Sequence, residues 1–174
     1  MKALVRRVQR ETERKLRVPA DYLGRLGDTS FSGFLKFLMF LPVSQHRRET
    51  RSALLSAVRI VATQHEDCGP CVQIAVNVAL DTRLDPAVIR SVLDRNHGEM
   101  PPDVSLVVRF ADGVLSKDGS EDPAREEIVS RFGATVLSEL SLAIATARVF
   151  PTLKRGLGYA QSCSVVKVDL EPRR

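Results

Sequence analysis

The sequence predicts an all-α protein of seven or eight helices. Apolar residues recur with the helical period of about 3.6 along most of the chain, and there is little of the alternation that is typical of strands. The segments between these stretches are short and carry Pro, Gly and Asp, which favour turns. With 174 residues, 44% of them hydrophobic, the chain is long and apolar enough to bury the core of a helical domain.

Each helix is predicted from its apolar stripe and from the residues that begin or end it. Asp85-Pro86 and Asp122-Pro123 each combine an N-cap residue with a Pro at the first helical position. Pro42 is expected to end an apolar helix, because Pro has no backbone N–H to donate. We expect helices over about 3–16, 30–41, 48–66, 70–80, 85–95, 101–115, 122–133 and 134–149, a short helical turn at 19–20, a loop over 24–30 and a short extended tail over 164–170.

The charge pattern argues against two classes of partner. The net charge is +5, but the basic residues near the start alternate with Glu11 and Glu13 and have no aromatic residues between them, unlike a typical nucleic-acid interface. The longest apolar stretch, 31–43, contains Lys36 and is too short to span a bilayer, and no apolar stretch of signal length opens the chain. We therefore expect a cytoplasmic protein that binds neither nucleic acid nor membrane.

The motif Cys68-Gly69-Pro70-Cys71 carries the most specific chemistry in the sequence. Structural disulfides are rare in the cytoplasm, so a Cys-x-x-Cys there indicates redox chemistry or a metal site. A zinc site needs about four ligands, and a second Cys-x-x-Cys is missing. The remaining candidate ligands, none with partner spacing, are Cys163, His46, His65 and His97. We favour a redox pair without metal or organic cofactor; zinc binding and two thiols that merely pack as small hydrophobic groups remain alternatives.

The predicted position of the motif favours the redox interpretation. Pro70 lies just inside a helix start, which places Cys68 at the N-terminus of a buried helix. Unpaired backbone N–H groups there stabilise a thiolate and lower the pKa of a cysteine. Cys71, one turn further in, should be shielded, so we expect Cys68 to attack and Cys71 to resolve. The helical spacing of Leu54 to Ala62 argues against a thioredoxin fold, which would need strands here.

An all-α chain in which such a motif ends one long helix and opens a buried one resembles the alkylhydroperoxidase D-like proteins, a group that includes the carboxymuconolactone decarboxylases. Three segments carry the resemblance, which covers about 45–163: Asp67 to Gln73, Met100 to Val104 and Phe150 to Lys154. It implies an alkylhydroperoxidase D-like domain over 45–174 preceded by an N-terminal helical extension over 1–44. It also implies reduction of peroxides or disulfides through the cysteine pair.

The family's proton relay is not present in its usual form. The pattern has a Glu about twelve residues before the first Cys and a His four residues after the second, where this chain has Ser56 and Ala75. His65 and Glu66 are the candidates to replace the relay. His65 shares the helical phase of the apolar stripe and is expected to point toward the thiols, as a base or as a core histidine. Glu66 either turns toward Cys68 or forms an ion pair in solvent.

The sequence thus predicts a thiol–disulfide oxidoreductase with Cys68, Cys71, His65 and Glu66 at its site. Its partners would be a hydroperoxide or disulfide substrate and an external thiol reductant. The apolar helix near 31–41, together with the resemblance, suggests a homo-oligomer, a dimer or higher. Two alternatives are a non-enzymatic helical oligomer or binding module and a cofactor-free enzyme that acts on a small organic acid.

Three further polar side chains have open roles. Gln73 and Asn77 form an i, i+4 polar pair on an otherwise apolar helix. They are expected to lock that helix through hydrogen bonds or to line a small pocket beside Cys71. Cys163 is interpreted as a buried thiol or as a third redox partner.

Overall fold

The computed structural model describes residues 1–162 and 168–170, and within those ranges it contains nine helices and no strand. The helices are α1 (Lys2–Leu16), α2 (Asp21–Thr29), α3 (Phe31–Ser44), α4 (Ser52–His65), α5 (Gly69–Asp81), α6 (Pro86–Leu93), α7 (Pro102–Ser116), α8 (Glu121–Phe132) and α9 (Ala134–Gly156). The all-α prediction is confirmed, with a slightly higher helix count than expected. The predicted extended tail over 164–170 lies partly outside the described residues, and Cys163 lies wholly outside them.

Helix α4 lies at the centre of the larger core. It packs against α5, α7 and α9, and nearly every residue from Leu54 to Thr63 is buried. Helices packed on several sides of one central helix explain why its apolar residues extend well beyond a single stripe. The apolar side chains of α5 and α7 complete this core, which also takes in residues of α6, α8 and α9.

The first three helices form a second apolar cluster. Its buried members are Val5, Ala20, Tyr22, Leu23 and Phe34. Leu153 and Leu157, in and just after the last turn of α9, pack against it from outside. The C-terminal part of α9 therefore joins the N-terminal helices to the larger core.

The predicted loop over 24–30 is wrong, because these residues belong mostly to α2. Its two glycines allow α1 to approach rather than breaking the helix. A Cβ on Gly27 would lie 2.6 Å from each methyl group of Val5, and a Cβ on Gly24 would lie 2.5 Å from side-chain atoms of Arg6 and Gln9. Gly24 and Gly27 are therefore explained by close packing between helices rather than by a turn.

Two helices, α3 and α9, extend beyond their predicted ends at about 41 and 149, and each includes a proline in its added part. Pro42 lies in the last turn of α3, and Pro151 lies within α9. A proline in the final turns removes one backbone hydrogen bond, and packing can compensate for that loss. The ring of Phe150 supplies such packing, with its centroid 5.6 Å from that of Phe37 and 5.9 Å from that of Phe40.

Among the described helices, α9 is long and apolar enough to cross a membrane by length and composition alone. A core helix of a soluble protein passes the same test. Here α9 packs against α4 and α8, and it carries the buried polar side chains of Glu139 and Lys154. Along part of its length α9 is therefore packed against other helices of the described chain.

Candidate functional site

The two cysteines of the motif lie together at the start of α5. Cys68 is the N-cap residue of this helix, with Gly69 and Pro70 in its first turn, so the predicted position of Cys68 is confirmed. The structure joins Cys68 and Cys71 by a disulfide, with their Cα atoms 5.3 Å apart. Their backbones contact as well, since the Cys71 N–H donates to the Cys68 carbonyl at 2.9 Å. Both sulfurs therefore lie within the positive end of the α5 dipole.

The exposure of the two cysteines differs from the expectation that Cys71 is the better shielded. Cys68 is fully buried, while Cys71 is 3% exposed and forms part of a cavity wall. A C-terminal segment lies close to Cys68, since the Gly69 N–H donates to the Gln161 carbonyl at 2.9 Å. A small molecule in the cavity would therefore meet Cys71 first. No linear pattern predicts this contact, because Gln161 is far from Gly69 along the chain.

The turn before Cys68 is held by two arginines of α9. Arg148 Nε donates to Glu66 Oε1 at 2.5 Å, and the Arg155 guanidinium donates to the Glu66 carbonyl at 2.7 Å. Asp67 adopts a left-handed conformation with φ 46°, which Asp tolerates better than most residues, and its carboxylate accepts from the Ser162 hydroxyl at 2.9 Å. These contacts fix the backbone that presents the cysteine pair.

Neither His65 nor Glu66 is placed as the relay hypothesis required. The prediction that His65 points inward is wrong, because its side chain is exposed. His65 is the last residue of α4, and it is exposed although the apolar stripe that it continues is buried as far as Ala62. Glu66 forms an ion pair with Arg148 of α9, as the ion-pair alternative predicted, but its side chain is only 16% exposed rather than solvated.

A cavity of about 510 Å³ lies between the N-terminal helices and the main core. This volume is in the range of about 300–1,000 Å³ that is usual for small-molecule sites. We call it the Cys71 cavity, and it is lined by Thr12, Lys15, Leu16, Tyr22, Leu23, Phe37, Leu38, Leu41, Ser44, Gln45, Arg47, Ser52, Leu55, Ser56, Arg59, Thr63, Cys71, Ile74, Ala75, Val78, Thr82, Thr146, Ala147, Phe150 and Lys154. It brings together side chains from α1 to α5 and α9.

The charges around the Cys71 cavity have one sign. Its wall carries Lys15, Arg47, Arg59 and Lys154, and none of its lining residues is acidic. Arg59 is half-buried and donates to the Ser44 carbonyl at 2.9 Å. Burial first, and then the charge of Arg47, lower the pKa of Arg59. The cavity therefore combines apolar walls with a positive potential.

Lys154 is the most deeply buried of these cations. It is 2% exposed, and its Nζ lies 5.0 Å from the centroid of the Tyr22 ring. Burial lowers the pKa of Lys154 to about 8, and burial raises the pKa of Tyr22 to about 12. Sequence reasoning did not identify Lys154, because nothing in the linear pattern distinguishes it from an exposed lysine at a helix end.

Gln73 and Asn77 join α5 to the end of α1 and to Asp169 through hydrogen bonds, as one of the two interpretations predicted. The Gln73 amide donates to the Asn77 side-chain oxygen at 2.8 Å and accepts from the Asp169 N–H at 2.7 Å. Asn77 in turn donates to the carbonyl of Leu16 at 2.9 Å. Neither side chain lines the Cys71 cavity.

Ser56 and Ala75 both lie on the wall of the Cys71 cavity. They come from different helices, α4 and α5, and the structure brings them to the same space as Cys71. These are the positions at which the resemblance expects a relay Glu and a relay His. Serine and alanine at these places supply no base at neutral pH.

Glu139 is a buried carboxylate that sequence reasoning missed. It is 3% exposed and accepts from the backbone N–H groups of Arg48 at 2.5 Å and Thr50 at 2.8 Å. It also accepts from the Thr50 hydroxyl at 2.5 Å. Burial acts to raise the pKa of Glu139, but the hydroxyl and the N–H groups together lower it to about 2. This binding explains why α4 begins at Ser52 rather than near residue 48.

Across residues 1–162 and 168–170, no group of three or more His, Cys, Asp or Glu side chains is placed to hold a metal ion. Comparison of the chain with protein-family models, curated proteins and solved structures finds no match.

Proposed function

We propose that this protein is a thiol–disulfide oxidoreductase of the alkylhydroperoxidase D-like type, working through Cys68 and Cys71. The observation that carries the proposal is the disulfide pair at the N-terminus of α5, with Cys71 on the wall of a cavity. A helix N-terminus favours thiolate, which is the reactive form of cysteine. The adjoining cavity is large enough for a small oxidant to reach a sulfur that bulk solvent does not.

The proposed reaction with a hydroperoxide has two steps. The Cys71 thiolate attacks the terminal peroxide oxygen, the O–O bond breaks, the alcohol leaves after protonation, and Cys71 becomes a sulfenic acid. The Cys68 thiol then attacks the Cys71 sulfur, which releases water and forms the disulfide. An external dithiol restores both thiols by exchange and is itself oxidised to a disulfide. This order assigns the attack to Cys71, because Cys71 borders the cavity.

The positions of Ser56 and Ala75 support the family assignment within this proposal. If the register of the resemblance is correct, its two relay positions should lie beside the attacking sulfur, and both line the Cys71 cavity. The absence of acid–base side chains at these positions predicts slow turnover of peroxides, since a positioned base contributes about 10²–10⁴-fold. Exchange with a partner disulfide depends less on such a base.

Trapping of the sulfenic acid tests this assignment. Reduced wild-type protein, Cys68→Ser and Cys71→Ser are treated with hydrogen peroxide and then with dimedone, and the products are identified by mass spectrometry. We expect wild-type protein to form the intramolecular disulfide, Cys68→Ser to give a dimedone adduct on Cys71, and Cys71→Ser to react far more slowly. Failure of wild-type protein to re-form the disulfide with either peroxide or an oxidised dithiol would overturn the proposal.

A non-enzymatic binding module is the second candidate, and two observations favour it. Both sulfurs are buried, and the usual relay positions carry no base. On this alternative the fold and the cavity serve binding, and the cysteines stabilise the start of α5. This alternative predicts that the reduced Cys68 and Cys71 thiols are oxidised no faster than ordinary buried cysteines.

We further propose that the protein self-associates through α3. Leu35, Met39 and Val43 follow the i, i+4, i+8 spacing of one helix face and are 40%, 69% and 43% exposed. Such a stripe is typical of an interface rather than of a solvated helix. Light scattering after gel filtration should show a dimer or higher oligomer for wild-type protein and a smaller species for Met39→Glu. A wild-type monomer would contradict this proposal.

A further inference from the structure

Lys154 lies in an unusual environment for a cation. It is almost fully buried, and within the described part of the chain its ammonium group makes no hydrogen bond or ion pair. Its Nζ lies over the ring of Tyr22, 5.0 Å from the ring centroid. An ammonium group that has lost most of its hydration and has no counter-ion costs free energy, which a bound anion would offset. Because Lys154 also lines the Cys71 cavity, such an anion can reach it from there.

The other residues of the cavity wall indicate what the rest of the ligand would be. Apolar side chains of α3, α5 and α9 dominate it, among them Phe37, Leu41, Val78 and Phe150. Lys15 and Arg47 are exposed cations of the lining, so they would attract an anion from solvent. No lining residue is acidic, and a cationic ligand would therefore be repelled.

We propose that the Cys71 cavity binds a straight-chain aliphatic carboxylate, whose carboxylate pairs with Lys154 and whose chain lies against the apolar wall. A plain hydrocarbon would leave the ammonium group unpaired. A small inorganic anion would leave the apolar wall uncovered. An amphipathic monoanion satisfies both parts of the cavity at once. This proposal concerns ligand binding, and it does not depend on whether Cys68 and Cys71 carry out the proposed redox reaction.

The low pKa of Lys154, about 8, agrees with this geometry. At neutral pH most of the group is still charged, so it can pair with a carboxylate. A bound carboxylate would favour the charged form and raise the pKa again. Binding should therefore be accompanied by proton uptake near pH 8.

Titration calorimetry with matched amphiphiles tests the proposal. Dodecanoate, dodecanol and dodecyltrimethylammonium share one chain and differ in head-group charge. We expect wild-type protein to bind dodecanoate more tightly than dodecanol and to reject the cation. Lys154→Met should weaken dodecanoate by about 10- to 100-fold, the worth of a charge-assisted hydrogen bond, and leave dodecanol unchanged. Lys2→Met, which removes an exposed lysine outside the cavity, should bind as wild-type protein does.

A second variant tests where the aliphatic chain of the ligand lies. Val78→Trp places a large ring on the wall, and it should weaken dodecanoate and dodecanol alike. The inference is overturned if dodecanoate does not bind, if it binds no better than dodecanol, or if Lys154→Met retains wild-type affinity. Should Lys154→Met fail to fold, unchanged binding in Val78→Trp would still overturn it. Trapping of Cys71 sulfenic acid is read separately, so either result can fail without the other.

Discussion

The Glu66 carboxylate is paired with the Arg148 guanidinium, with Nε 2.5 Å from Oε1. This ion pair ties the end of α4 to α9 directly before the cysteine motif. A carboxylate held in this way is a positioning group for the turn rather than a free base. The side chain of Glu66 is only 16% exposed, so the pair is shielded from solvent more than most surface pairs.

Glu66→Gln should therefore affect stability more than thiol chemistry. We expect a loss of about 1 kcal/mol in the free energy of unfolding by urea titration, near the upper end for partly exposed pairs. The rate at which reduced protein re-forms the disulfide should change less than threefold. Combining the change with Arg148→Gln should cost little more than either single change, because the two side chains share one interaction.

His65, the exposed neighbour of Glu66, supplies the control for the Glu66→Gln experiment. His65→Ala should leave both stability and disulfide formation unchanged, since the imidazole points into solvent. If Glu66→Gln slowed disulfide formation by tenfold at unchanged stability, the carboxylate would have to act on a proton during the reaction.

Ala75→His should restore part of the missing relay. Ala75 lies on the cavity wall one turn after Cys71 on α5, so an imidazole there can reach the sulfur. We expect the reaction of the reduced protein with hydrogen peroxide to accelerate by about tenfold or more near pH 7. Its pH profile should gain a titration near the usual histidine pKa of about 6.5.

Ala75→Leu is the matched control, because it adds similar bulk without a base. It should slow the same reaction by narrowing the approach to Cys71. Equal rates for the two variants would mean that position 75 does not face the attacking sulfur, and the register of the family resemblance would then be wrong.

The buried Glu139 carboxylate should make the segment before α4 sensitive to acid. Its pKa is about 2 in the folded protein and has an ordinary value of 4.5. The lower folded pKa adds stability that is fully present above pH 4.5 and is lost as the pH falls through about 2. Glu139→Gln should be less stable than wild-type protein by about 2 kcal/mol near neutral pH, and this gap should shrink steadily in acid.

Urea titrations at several pH values between about 7 and 3 measure this gap. Glu126→Gln serves as the control, because Glu126 is exposed and should show no pH-dependent difference. A gap that stays constant down to pH 3 would contradict the assigned role of Glu139.

Gly27→Ala should destabilise the contact between α1 and α2. The new methyl group would lie 2.6 Å from both methyl groups of Val5, so one helix must shift, at a cost of about 1–3 kcal/mol. Thermal unfolding should show the loss, and Val5→Ala in the same chain should recover part of it.

Gly156→Ala is the comparison, since nothing lies within 4 Å of a Cβ at that helical position. There the usual preference of helices for Ala over Gly should make the change neutral or stabilising. Equal effects at both positions would mean that the glycine of α2 is not selected by packing.

Local signals were enough to predict the helical class and the position of Cys68. Helical periodicity, the Asp-Pro starts and Pro70 act over a few residues, so their physical effect is present in the sequence itself. The same local logic failed at Gly27 and His65. Whether a glycine faces another helix, or whether the last residue of a stripe is covered, depends on neighbours that are distant in the chain.

By itself, the sequence determined that this chain is helical and that two cysteines share the first turn of a buried helix. The tertiary structure decided that Glu66 belongs to Arg148, that Cys71 rather than Cys68 borders a cavity, and that Lys154 is buried in its wall. Helix formation is governed by hydrogen bonds and side chains within a few residues of one another. Burial, charge pairing and cavities arise where helices far apart in the chain pack together, which no linear pattern records.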